Sequence, residues 1–343
     1  MSSLMAALGI VGGVVLAGVV AHGAWTARPP RVHVARADDP SEGAEPGASA
    51  SGDRIEPSLD DLPVMPKRAR SSGQLDALVD AISPLSLDHV VSGDMVLAHL
   101  PASRRAGTKP FLVEGLNERS GQWEPPVPGE TYRELQAGVL LANRNGALNE
   151  IEFSEFVQKI QAFADAVGAS TDFPDMLSEV SRARELDLFA SAHDAQLAIH
   201  LKARGAAWTR GYIQQHAARH GFVQGVGPGR LVLPGRDDGA PPVLSLQFDP
   251  ALTYTEDPNA AVRDITLSFD VAQTSAQEEP FKAWQASSLA LALGMDAAVV
   301  DDNGHPLTPE GFAAIERELA QLYAQLAERD MAAGSSVARR VFA

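Results

Sequence analysis

The sequence predicts an α+β protein: split βαβ antiparallel sheets with helices on one face, in two tandem related copies, preceded by one transmembrane helix. Three observations carry this expectation. Residues 4–22 are apolar, with no Asp, Glu, Lys or Arg among them. Beyond residue 185, apolar positions alternate between the period of a strand and that of a helix. The pattern of residues 137–173 returns over 264–300.

The first stretch, Leu4 to His22, reads LMAALGIVGGVVLAGVVAH and carries Leu4, Ile10, Val14, Leu16 and Val19. About 20 apolar residues cross a hydrocarbon core of ~30 Å, so the run is just long enough. A cleaved signal peptide is the rival, but Met1-Ser2-Ser3 supplies no cationic side chain before the run. The cations follow it instead, as Arg28, Arg31 and Arg36, with Trp25 at headgroup depth. That asymmetry puts the N-terminus outside and the rest in the cytoplasm. An anchor is therefore expected over 1–27. Residues 28–72 are acidic and rich in Pro, Gly and Ser, too poor in large apolar groups to offset ordering entropy, and should form a tether.

Charge narrows the function. The 343 residues hold 44 acidic and 28 basic side chains, a formal net charge of -16. Nucleic acid is an improbable partner for such a chain, since that affinity comes largely from cations on phosphates. There is no cysteine, which excludes disulfides, thiolate catalysis and Cys-ligated zinc.

The second copy, 186–331, is the easier to trace. Leu197, Ile199 and Leu201 alternate as one strand face, and Trp208, Tyr212, Ile213 and Ala217 follow at helical spacing. Strands are expected at 230–233 and 243–248, joined by a Gly/Pro/Asp turn, and again at 264–271. A helix carries Phe281, Trp284, Ser288 and Leu291, with Gly294 near its end, and a strand spans 297–300. Thr308 as N-cap and Pro309 at N1 open a last helix striped by Phe312, Ile315, Leu319, Leu322 and Leu326. The first copy, 73–185, has a helix after Asn149 with Asn149 and Glu152 as a capping box and Gly168 at its end. Its opening strand is expected at 94–100, behind a helix at 75–82, with the first helix of the unit lost or shortened. Residues 332–343 are left as a tail.

Two stretches carry a family resemblance. His22-Gly23-Ala24-Trp25-Thr26-Ala27-Arg28 is similar to the membrane exit of the ZipA family of division adaptors. Ala297 to Asn303 with Leu307-Thr308-Pro309, and Gln214-Gln215-His216 to Gly221-Phe222, resemble segments of that family's C-terminal domain. The resemblance covers anchor and second copy in the right order. It implies a single-pass inner-membrane protein at the division site whose cytoplasmic sheet receives the C-terminal tail of the tubulin-like GTPase FtsZ. The tether here is shorter than many in the family, and the first copy has no counterpart in that pattern.

A sheet covered on one side turns every second side chain outward. In the second copy this selects Gln196, Ala198, His200, Ser245, Gln247, Thr266, Ser268 and Asp270, a polar set where the family's groove is apolar. In the first copy it selects Met95, Leu97, His99, Leu140, Ala142 and Arg144, an apolar face with one cation suited to an acidic, apolar peptide. Packing of these residues against neighbouring elements is the competing expectation. The candidate partner residues are thus Met95, Leu97, His99, Leu140, Ala142, Arg144, Ala198, His200, Gln247 and Ser268.

Nothing in the sequence points to catalysis, a cofactor, a metal or a small-molecule substrate. His216 and His220 have the spacing of a metal pair but lack the glutamate of HExxH. Gly225 to Gly229 precedes a strand rather than a helix, as a hairpin turn does. The alternative function is a membrane-anchored sensor of small ligands or metal, built from the same split βαβ domains.

Overall fold

The computed structural model describes residues 74–236, 240–249 and 261–343. The expected anchor over 1–27, with Leu4, Ile10, Val14, Leu16, Val19, Trp25 and Arg28, lies outside these residues, as does the expected tether over 28–72. Among the described residues no helix is long and apolar enough to cross a membrane. They form a mixed α+β structure of two six-stranded antiparallel sheets, a two-stranded hairpin and their helices.

The first lobe opens with β1 (Asp80–Ser92), α1 (Gly93–His99), β2 (Arg105–Ala106), β3 (Lys109–Asn117), β4 (Trp123–Glu124) and β5 (Thr131–Leu140). A small hairpin follows, β6 (Ala142–Asn143) and β7 (Gly146–Ala147), then α2 (Glu150–Val167), β8 (Ala169–Thr171) and α3 (Met176–His193). The sheet order is β2-β3-β5-β1-β8, with β4 alongside β3. Two expectations change here. Residues 94–99 are not the opening strand but lie in α1, which Ser92 caps by accepting from the Met95 N–H and Leu100 ends. The opening strand is β1, and it begins inside the segment expected to be helical. Leu75, Leu78 and Ile82 imitate helical spacing, yet Ala81, Ser83 and Leu85 are buried while Pro84 and Ser86 are exposed, the period of a strand. Pairing with β5 from Asp80↔Leu140 onward settles the competition.

Helix α2 forms as its sequence dictates. The Asn149 side chain accepts from the Ile151 and Glu152 N–H groups, and Glu152 reaches back to the Asn149 N–H. Phe153, Phe156, Ile160, Phe163 and Val167 are buried, and Gly168 ends the helix at φ 72°, a left-handed conformation that favours glycine. Phe156 packs edge-on against Phe111 of β3 and Phe153. Lys109 is also fully buried, donating to Thr108 Oγ1 and to Asn143 Oδ1 at 3.0 Å; burial lowers its pKa.

The second lobe contains β9 (Gln196–Ala203), α4 (Arg210–Ala218), β10 (Val223–Gln224), β11 (Arg230–Leu233), β12 (Leu244–Gln247), β13 (Asp264–Asp270), α5 (Pro280–Met295), β14 (Ala297–Val300) and α6 (Pro309–Glu328). The order of elements is the expected one, with the short β10 added. Helix α5 runs past Gly294, and Asp296, at φ 52°, caps it instead. Trp284 anchors the core between Phe269, Phe281 and Phe312, its Nε1 donating to the Leu267 carbonyl at 2.9 Å. The sheet order is β10-β11-β12-β13-β9-β14. Strand β9 lies between β13 and β14, as β1 lies between β5 and β8, antiparallel to both neighbours in each case.

The boundary expected at 185/186 falls inside α3, which runs unbroken from one lobe toward the other. Residues 332–343 are not a free tail. They form α7 (Ser336–Val341), and Ala338, Val341 and Phe342 are buried in the core of the first lobe. Leu326 and Met331 join the same core. Arg340 forks onto the buried Asp80 of β1, with Nη1 at 2.7 Å. The apolar side of the VARRVF run explains the docking: Val337, Ala338, Val341 and Phe342 share one face of a short helix.

Candidate functional site

Register places the outward residues of the second sheet in rows. Arg230 pairs with Gln247, Gln247 with Thr266, and Thr266 with His200. The neighbouring row is Val232, Ser245, Ser268 and Ala198. Leu197, Ile199, Leu201, Leu246, Ile265, Leu267 and Phe269 take the opposite direction, onto the hydrophobic core. The face is polar, as its sequence predicts, and it is tightly bonded. Arg230 Nε donates to Ser245 Oγ at 3.0 Å, and both Ser245 and Ser268 are buried beneath larger neighbours. His200 sits between two carboxylates, Nδ1 at 3.1 Å from Asp264 and Nε2 at 3.2 Å from Asp302. The adjoining turn is held by Asp301, whose carboxyl the His305 and Asn303 N–H groups keep below the usual carboxylate range. His200 and Thr266 are half-buried and Gln247 is exposed, so that row stays accessible; Ala198, in the neighbouring row, is also half-buried.

The face expected in the first lobe does not form. Met95, Leu97 and His99 sit on α1, not on a strand, with Met95 and His99 exposed and Leu97 half-buried. Leu140 and Ala142 are buried, because the end of β5 pairs with β1 and the β6–β7 hairpin packs beneath α3. Arg144, in the turn of that hairpin, is already engaged. Its Nε and Nη2 donate to Asp194 at 2.8 and 2.6 Å, and Nη2 also reaches Asp270 at 2.6 Å. These bonds raise the Arg144 pKa further, whereas burial lifts the Asp270 carboxyl above its usual range in spite of Arg144. The cation expected to receive an acidic peptide instead joins the two lobes.

The true outward face of the first sheet carries Ile82, Leu112, Glu114, Gln136 and Gly138. The chain before β1 crosses it. The Leu75 N–H donates to Glu114 Oε1 at 2.8 Å, and Leu75 lies where a Gly138 side chain would project. Sequence reasoning missed Arg230, Asp264 and Asp302 as members of the second face. Extending the strict alternation one strand further would have found Arg230, whereas the His200 contacts of the two aspartates depend on strand pairing.

His216 lies against Tyr212, ring centroids 4.4 Å apart, and burial with nearby Arg219 and His220 lowers its pKa. Among the described residues no group of three or more His, Asp or Glu side chains could hold a metal ion. No known family model matches the chain, and no curated protein matches it significantly.

Proposed function

We propose that the chain is a non-enzymatic division adaptor of the ZipA type, tethered to the cell inner membrane by residues 1–27 and holding the C-terminal tail of FtsZ. In this proposal the two lobes are tandem copies of a split βαβ unit, and the second carries the partner face. The observation that most supports it is the face of the second sheet opposite the core, where His200, Thr266 and Gln247 form an accessible polar row among the described residues and Ala198 lies in the next row. The equivalent face of the first sheet is crossed by Leu75. A polar row binds a tail through hydrogen bonds to side chains more than through an apolar groove.

The test is a pull-down of FtsZ, with and without its C-terminal tail, on residues 74–343. Retention that needs the tail, and a loss of about tenfold or more in affinity on Ala198→Arg with unchanged melting, is expected. Equal retention of tailless FtsZ, or none of either form, would remove the reading.

A further inference from the structure

In the first lobe, the link from β4 to β5 reads Pro125-Pro126-Val127-Pro128-Gly129-Glu130. Proline fixes φ at about −65°, and a residue that precedes proline is pushed toward extended dihedrals. Pro125, Pro126 and Pro128 meet the first constraint; Glu124, Pro125 and Val127 meet the second. A turn closes the segment, with the Glu130 N–H donating to the Val127 carbonyl at 3.4 Å and Gly129 at φ 80°. This is the type II form, whose second residue, here Pro128, has φ of about −60° and ψ of about +120°. Residues 125–128 therefore make just over one turn of polyproline II helix, dictated by local chemistry.

That helix has about three residues per turn, so Pro125 and Pro128 share one edge, roughly 9 Å apart. Both are exposed, and Val127 on the next edge is 46% exposed. Pro126, on the third edge, is half-buried. The lobe holds the segment from beneath. The Val127 N–H donates to Oη of the buried Tyr132 at 2.8 Å, and the Gly129 N–H to Asp94 Oδ2 at 3.1 Å. Gly93, at the start of α1, lets the loop approach: a Cβ there would stand 2.0 Å from the Val127 carbonyl oxygen.

Proline has no N–H, so Val127 carries the only one in 125–128, and Tyr132 accepts it. With no N–H left to extend a sheet, strand addition is closed to a partner here. What remains is two exposed apolar edges and their carbonyl groups, fixed in advance and so bound at little entropic cost.

We infer that residues 125–128 are a docking ligand for a partner protein whose aromatic-lined groove takes polyproline II segments. The flanks add a preference. Over 118–134, Glu118, Glu124, Glu130 and Glu134 outnumber Arg119 and Arg133, which favours a groove with a basic rim. The inference uses neither the anchor nor the outward row of the second sheet, and it stands independently of the adaptor reading.

Calorimetric titration of the full 343-residue chain with an isolated WW domain and an isolated SH3 domain tests it. Saturable binding of at least one, with a Kd below about 1 mM, is expected. Pro125→Ala and Pro128→Ala should each weaken that binding by about tenfold while the melting temperature holds, because both rings are exposed. Leu188→Ala, which trims an exposed apolar side chain on α3, should leave the affinity unchanged. Saturation by neither domain, unchanged affinity in both proline variants, or an equal loss in Leu188→Ala would each overturn the assignment.

Discussion

Arg144 shows how one side chain can be read correctly for its charge and wrongly for its partner. Its two carboxylates come from the end of α3 and the end of β13, and neither is near it in sequence. Removing the cation leaves Asp194 and Asp270 facing each other, so Arg144→Ala should destabilise by about 2 kcal/mol, measured by urea denaturation. Asp270→Asn is expected to behave differently. The folded pKa of Asp270 is raised, so the native state holds its proton more tightly than the unfolded chain does. Its contribution favours folding at low pH and is lost as pH rises through the folded value. The stability of the wild type relative to Asp270→Asn should therefore increase as pH falls from 7 through the carboxylate range. A difference that is flat or of opposite slope would show that Arg144, not burial, dominates the site. Leu140→Asp follows from burial alone: an unpaired carboxylate inside the first core should cost about 4 kcal/mol or more, enough to unfold a marginal lobe.

At the scale of elements, the legible parts are those in which local chemistry and burial agree. The capping box of α2, the Thr308–Pro309 start of α6 and the strands from β11 to β14 all combine a strong start or stop signal with one clear period. The β1–α1 region was misread because its apolar residues satisfy two periods at once, and only long-range pairing chooses between them. Helix α7 was missed for a related reason. Six residues carry too little local signal, and what holds them is a core formed some 200 residues earlier in the chain. Phe342→Ala should cost about 4 kcal/mol and loosen the first lobe specifically. Hydrogen exchange unchanged in β9 and β13 but accelerated in β1 and β5 would verify that assignment, and uniform acceleration would contradict it.

For the whole molecule, element order in the second lobe was readable, whereas the joining of the lobes was not. Alternation gave the polar face of the second sheet, but no periodicity reveals that Leu75 covers the first, or that the candidates there divide between a helix and a core. Those facts come from contacts across long stretches of sequence. They also govern experimental design: a fragment ending at Met331 removes Val341, Phe342 and the partner of Asp80, and should be less stable than residues 74–343.

The return of α7 to β1 also has a consequence for birth on the ribosome. Domains commonly fold in the order in which they leave the exit tunnel. Here the core of the earlier lobe stays incomplete, and Asp80 lacks its cation, until residues 338–342 have been translated. The core of the later lobe needs no residue beyond Tyr323, so it is complete in sequence before that of the earlier one.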